Sequence, residues 1–385
     1  MNSETNLYPA SPHDVQAIVL TQLQQLWAEP KQAHTIAPLM LWGAPGVGKS
    51  TLIRDLCRQQ GIDFIDIRLA QREPVDLRGL PVPKDDHVDW LLAGEWPRDP
   101  NSRGIILFDE LSAADRTLQA AAYEIILDRR LGDLYRLPPG WLVIGAGNRM
   151  TDRAVAYSFS SALANRFCHL SLEPDVEQWC LWAQQQDLHP IVLGFLKFAP
   201  EHFFNMEGNT EQGWPSPRSW ERVARVIAQA EQDGLNAQQR RIMVNGLVGA
   251  GAAAAFFAYY ETAEALPDVR AMLKGETPVR VPKASDALYA FCAAITYHLW
   301  RCNKNDYAQR LSVLFSISAK LSSDFATMLM LDVLRDPAAS TNGNGERLHE
   351  RRAELVFSHP DYAEWTAQHG MEFGDALTRI SEEVV

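Results

Sequence analysis

The sequence predicts an α/β fold. A parallel, doubly wound sheet covers roughly the first 175 residues, and helices follow to the C-terminus. Three observations carry this expectation. Short apolar runs of strand length recur at 38–42, 64–69, 105–108, 141–146 and 168–172, with helical or turn-rich segments between them. Such runs mark strands buried on both faces, as in a sheet sandwiched by helices. The first run passes through a glycine-rich turn, Gly43-Ala44-Pro45-Gly46-Val47-Gly48-Lys49-Ser50-Thr51, into a helix with Leu52, Ile53 and Leu56 on one face. After Pro174 the strand runs stop and helical periodicity takes over.

Taken in order, the elements are justified locally. Ser11 and Pro12 suit the cap and first position of a helix whose apolar face is Val15, Ile18, Val19, Leu23, Leu26 and Trp27. Residues 1–12 before it are polar with two prolines and read as a loose arm. The segment Glu73-Pro-Val-Asp-Leu-Arg-Gly-Leu-Pro-Val-Pro is rich in turn residues, and Lys84-Asp-Asp-His after it reads as a hairpin tip. A helix over 118–127 and a second hairpin near Arg130-Leu-Gly-Asp-Leu-Tyr-Arg follow. Beyond 174, helices are expected at 176–186, 191–198, 220–230, 237–248 and 252–264, and again through 284–336. Ala339-Ser-Thr-Asn-Gly-Asn-Gly is the clearest linker.

The turn at 43–51 matches G-x-x-x-x-G-K-[ST] in its strand–turn–helix setting. Glycines let successive backbone N–H groups curl around one hollow. The helix N-terminus adds partial positive charge there. The hollow suits the phosphates of ATP, with Lys49 reaching the β- and γ-phosphates and the Ser50 hydroxyl ligating Mg²⁺. The run at 105–108 ends in Asp109-Glu110, about 60 residues downstream. A buried parallel strand delivers its last residues to the edge where the phosphate loop lies. Asp109 can hold Mg²⁺ there and Glu110 can orient or deprotonate water. The competing use of this pair is an acidic cap on the next helix. Asn148 ends the run at 141–146 and is placed either to hydrogen-bond a γ-phosphate or lytic water, or simply to make a turn. Arg166 before the last strand and Arg218 at a helix start (Ser216 cap, Pro217 first) are ambiguous from spacing alone.

Composition sets bounds. With 46% hydrophobic and 22% charged residues, the 385-residue chain has material for two or three domains. A net charge of −12 speaks against a broad nucleic-acid surface. Five scattered cysteines without a C-x-x-C pair point to reduced thiols. The N-terminal residues show no basic and apolar signal pattern, so a cytoplasmic location is expected. The apolar stretch 246–260 is short and broken by Gly249 and Gly251, so it reads as a buried helix and no membrane insertion is expected. His169 and His189 read as structural, and Trp214 and Trp220 as core. Lys84, Arg129, Arg130 and Arg136 read as a solvated hairpin surface, with a pore or substrate contact as the alternative.

Together these motifs resemble the AAA+ ATPases: Walker A at Gly43 to Ser50, Walker B at Ile105 to Glu110, sensor 1 at Asn148, an arginine finger at Arg166 and sensor 2 at Arg218. More narrowly they resemble the MoxR-type branch, in Asp76-Leu-Arg-Gly-Leu-Pro, Gly147-Asn148-Arg149 with Asp152-Arg153-Ala154, Leu163-Ala-Asn-Arg-Phe and Ser216-Pro-Arg-Ser-Trp. The resemblance covers roughly residues 14–280. It implies an α/β core over 13–175 with hairpin inserts near 80–96 and 129–137, and an all-helical lid over 176–280. Beyond it lie a helical extension at 281–338, a linker at 339–345 and a helical tail at 346–385. It implies ATP hydrolysis with Mg²⁺ in a ring, usually a hexamer. In that ring Arg166 reaches a neighbour's γ-phosphate and Arg218 reports nucleotide state to the lid. Family members act as chaperone-like remodellers, often with a von Willebrand A domain partner. The competing classes are a nucleic-acid motor or restriction-type subunit, and a non-hydrolysing ATP switch.

Overall fold

Six parallel strands build one sheet: β1 (Pro9–Ala10), β2 (Leu39–Trp42), β3 (Asp63–Arg68), β6 (Gly104–Asp109), β9 (Trp141–Gly147) and β10 (Cys168–Leu172). Their order across the sheet is β1-β10-β2-β9-β6-β3, with every pairing parallel. Strand β2, which feeds the glycine-rich turn, therefore sits between β10 and β9, next but one to β6. The computed structural model describes residues 7–149, 152, 159, 164–206, 212–334 and 348–384. The chain divides into two compact units, residues 1–175 and 176–385.

In the first unit the fully buried strands are the most apolar ones. All seven residues of β9 and the first five of β6 are buried. Residues of this density have no face to spare for water, which is why helices must cover both sides. Helix α1 (Pro12–Ala28) starts at a reciprocal cap: Asp14 N donates to Ser11 Oγ (3.1 Å) and Ser11 N donates to Asp14 Oδ2 (2.9 Å). Such a cap contributes about 1 kcal/mol, and the helix buries Val15, Val19, Leu23 and Leu26. Helix α2 (Lys49–Gln60) begins at Gly48 and is closed by Gly61 in the left-handed conformation. Short α3 (Pro74–Arg78) precedes hairpin β4 (Leu80–Pro83) and β5 (Val88–Leu91), which leaves Leu80, Val88, Trp90 and Leu91 exposed. Helix α4 (Arg116–Asp128) leads into hairpin β7 (Arg130–Leu131) and β8 (Tyr135–Arg136).

One expectation for this unit is corrected. Pro9 and Ala10 are not a loose arm but pair with Ser171 and Leu172 as the sheet's edge strand, with Ala10 buried. Residues 1–6 of that arm lie outside the described residues, as does the linker 339–345.

The second unit is helical. Its elements are α5 (Val176–Gln185), α6 (Pro190–Phe198), α7 (Pro217–Asp233), α8 (Ala237–Glu264), α9 (Val269–Leu273), α10 (Ser285–Leu299), α11 (Tyr307–Ser318), α12 (Ser323–Leu334), α13 (Leu348–Phe357) and α14 (Tyr362–Val384). Stretch 237–263 is long and apolar enough to cross a membrane by length and composition. It is kinked at Gly249 (φ 79°) and turns Val244, Val248, Ala252 and Phe256 into a core with Phe195 and Trp220. No break falls near residue 280. Helix α10 lies so close to α6 that a Cβ on Gly194 would meet Ala293 Cβ at 3.3 Å and Ala290 Cα at 3.4 Å. The expected lid and extension are thus one packed body. Val356, Trp365 and Phe373 from the last two helices complete a second core with Phe291, Leu299 and Leu329.

Candidate active site

Three strand ends and one turn meet at the C-terminal edge of the sheet. In the turn after β2, Gly46 (φ 84°) and Gly48 (φ 100°) adopt the left-handed conformation that a side chain resists. Gly43 is required for a different reason: a Cβ there would sit 2.9 Å from Leu172 O. Lys49, only 8% exposed, donates from Nζ to Gly43 O (2.6 Å), Ala44 O (3.2 Å) and Asn148 Oδ1 (3.0 Å). The cation of the turn is thereby tied to the tip of β9. Ser50 Oγ donates to Asp109 Oδ2 at 2.5 Å, which ties the same turn to the tip of β6.

Glu110 follows with φ 57°, a left-handed geometry uncommon for a non-glycine residue. Its backbone is pinned on both sides: its N donates to Asp109 Oδ1 (2.9 Å) and its O accepts from Ala113 N (2.9 Å) and Ala114 N (3.2 Å). Holding a residue in this region costs about 1–3 kcal/mol and is seen where a site demands it. Among the described residues the Glu110 carboxylate makes no hydrogen bond or ion pair. The helix that follows is capped by Asp115, which accepts from Thr117 N (2.7 Å) and Leu118 N (2.9 Å). Neither Asp109 nor Glu110 is spent as that cap.

Asn148 is held in place by a residue the sequence reading passed over. Ser112, 1% exposed, accepts from Asn148 N (3.1 Å) and donates to Asn148 O (3.3 Å). Gly147 permits this approach, since a Cβ there would lie 2.6 Å from Ser112 Oγ and 2.8 Å from Met40 Cε. Next along, Arg149 donates to Glu173 Oε1 (2.5 Å) and Leu172 O (3.3 Å), while its backbone N donates to Asp152 Oδ2 (2.7 Å). Arg153 and Ala154 lie outside the described residues.

Asp66 on β3 was also missed. Burial first, then the negative charge of Asp109, push its carboxyl above the ordinary range, against the pull of Arg68 and Arg54. Arg54 reaches one of its oxygens at 3.3 Å. A hydroxyl and a carboxylate side by side at Ser50 and Asp109, with further negative charge behind them, form an oxygen-donor set that suits Mg²⁺. No group of three or more His, Cys, Asp or Glu residues for another metal occurs among the described residues.

Neither predicted arginine makes a hydrogen bond or ion pair among the described residues. Arg166 is exposed in a turn closed by Phe167 N donating to Ala164 O (3.3 Å); residues 161–163 before it lie outside the described residues. Arg218 is exposed in the first turn of α7, in the second unit, behind the Ser216–Ser219 capping box. Trp220 beside it is fully buried and donates to His202 O (2.9 Å). Arg129 differs from a solvated hairpin cation. It turns inward, donating to Pro138 O (3.0 Å) and Trp141 O (2.8 Å), and burial lowers its pKa to about 10.

Residues 39–168 match the family model described as ATPase family associated with various cellular activities (AAA). Among solved structures, the chain is similar to the RuvB Holliday junction branch migration motor of Thermotoga maritima, at 16% identity over 76% of this chain and 86% of that one, with a TM-score of 0.36. It is also similar to NtrX from Brucella abortus in complex with ADP, at 17% identity over 96% of this chain and 69% of that one, with a TM-score of 0.28. Likenesses this distant say nothing of what this chain acts on.

Proposed function

We propose that the AAA ATPase domain over residues 39–168 hydrolyses ATP, and that the chain works as a MoxR-like, chaperone-type remodeller of protein partners in the cytoplasm. The observation that carries the reading is the convergence of Lys49 and Ser50 with Asn148 and Asp109, each linked by a direct hydrogen bond. Lys49 lets go of its carbonyls to meet the β- and γ-phosphates, and the backbone N–H groups of 43–51 cradle them. Glu110, pinned in backbone and free in side chain, takes a proton from the attacking water. Asn148, held by Ser112, fixes that water or the γ-phosphate. Ser50 and Asp109 would hold Mg²⁺, which supplies charge neutralisation at the phosphates when bound.

Arg166 is exposed, as a cation serving another subunit must be, and in this reading it completes the site of a neighbour in a ring, a hexamer in the resemblance. Arg218 would report nucleotide state within its helical unit. The exposed apolar residues of the β4–β5 hairpin give the ring a surface for a protein client. A von Willebrand A domain protein is the partner class proposed.

The test is phosphate release by wild type and Glu110→Gln. The variant is expected to keep ATP binding and lose about 10²-fold or more of its turnover. Wild-type turnover in the variant would remove Glu110 from the role of base, and no turnover in wild type would make the chain a non-hydrolysing switch. Stimulation of the ATPase by DNA or RNA that falls steeply with salt would favour the nucleic-acid motor over the protein remodeller.

A further inference from the structure

One histidine ties the turn that carries Arg166 to the strand that feeds the phosphate loop. His169 lies on β10 in register with Met40 of β2. Its Nδ1 is 2.8 Å from Trp42 Nε1, and its Nε2 is 2.8 Å from Ala164 O. An indole N–H only donates and a carbonyl only accepts. The two partners therefore define the ring: it is neutral, accepts from Trp42 at Nδ1 and donates to Ala164 from Nε2. The Ala164 carbonyl is the same one that closes the turn around Arg166 by accepting from Phe167 N. On the other side, Trp42 immediately precedes Gly43, whose carbonyl holds Lys49 Nζ. The connection is stiffened by rings: Trp42 packs on Phe159 (5.4 Å between centroids), Phe159 on Phe167 (6.3 Å), and Phe167 on His169 (6.1 Å).

A histidine that only filled space would not need both nitrogens engaged, one by a strand residue and the other by a turn carbonyl. We propose that His169 is a positioning residue for Arg166. It holds the Arg166 turn at a set offset from the phosphate loop of its own subunit. The guanidinium offered to a neighbour's nucleotide is thereby registered to the strand that grips this subunit's nucleotide. The proposal rests on the reading of Arg166 as a cation that acts on ATP hydrolysis. A displacement of about 1 Å in such a group can cost up to 10²-fold in rate, so a hydrogen-bonded strut is worth having.

The experiment measures kcat and the Kd of a fluorescent ATP analogue for His169→Phe, His169→Gln, Arg166→Ala and the double variant His169→Phe/Arg166→Ala. Phenylalanine keeps the ring and its packing but removes both hydrogen bonds, whereas glutamine retains one donor and one acceptor. His169→Phe is expected to lower kcat about tenfold with little change in Kd, and His169→Gln to recover part of the loss. The double variant is expected to be no slower than Arg166→Ala alone, because the histidine acts through that arginine. A double variant slowed by the product of the two single effects would overturn the proposal, as would a matching rise in Kd. Either result would make His169 a support of β2 only. Wild-type kcat in His169→Phe beside a slow Arg166→Ala would overturn it and leave the arginine's role standing. Wild-type kcat in Arg166→Ala would overturn both. If His169→Phe does not fold, Trp42→Phe removes the indole donor and enters the same comparison with Arg166→Ala.

Discussion

At the scale of single residues, the site is a set of short ties between groups of opposite character, with one like-charge conflict left in it. Lys49 and Ser50 are satisfied by Asn148 and Asp109, but Asp66 is half-buried and feels the charge of Asp109, and its carboxyl is pushed up. The sign of its effect on stability follows directly. A carboxyl with a raised folded-state pKa binds its proton more tightly when folded, so its ionisation destabilises the fold. That penalty is present at neutral pH and fades as pH falls through the raised value toward 3.8, its ordinary value. Asp66→Asn is therefore expected to melt at a higher temperature than wild type at pH 7 without nucleotide. The gap should narrow on acidification, and a gap independent of pH would show that the charge is not the cause. The residues that the sequence made legible at this scale are those whose chemistry depends on a fixed spacing, such as Lys49 and Ser50 after Gly48. Ser112 was not legible, because a serine two places past an acidic pair looks like any turn serine until Asn148 is folded against it.

At the scale of elements, strands were legible where burial is complete. Strands β6 and β9 announce themselves because a strand covered on both faces carries almost nothing polar. Strand β1 did not, since two residues, one a proline, hold no periodicity at all. The unity of the second unit was also hidden. Helices α6 and α10 meet through small residues, Gly194 against Ala290 and Ala293, and small residues leave a weak hydrophobic pattern. A buried ion pair joins helices far apart in sequence: Lys197 of α6 donates to Asp332 of α12, whose side chain is 4% exposed. Lys197→Met removes that cation from the buried carboxylate, a loss of up to about 3–5 kcal/mol. Lys197→Met/Asp332→Leu is expected to regain most of it, which thermal or urea unfolding of the two variants would show. Equal destabilisation in both would mean that the helices are held by packing and not by the pair.

At the scale of the whole molecule, the chain is acidic, with a net charge of −12 and five free cysteines. Cys57 and Cys292 are buried, and burial pushes both thiols up to about 12, so neither is a ready nucleophile. The cations described near the phosphate loop are engaged within their own chain: Arg149 donates to Glu173 and to Leu172 O. Arg166 stands exposed in its turn and makes no hydrogen bond or ion pair among the described residues, while Lys49 is committed to its own loop and Asn148. The central claim is that the active site is shared between copies. The direct measurement is ATP turnover in mixtures of Lys49→Ala and Arg166→Ala subunits. One variant retains the arginine and the other retains the phosphate loop. Each alone is expected to be nearly inactive, and mixing is expected to restore turnover at interfaces where an intact loop faces an intact Arg166. Mixtures no more active than the two variants apart would contradict the shared site and confine catalysis to a single chain.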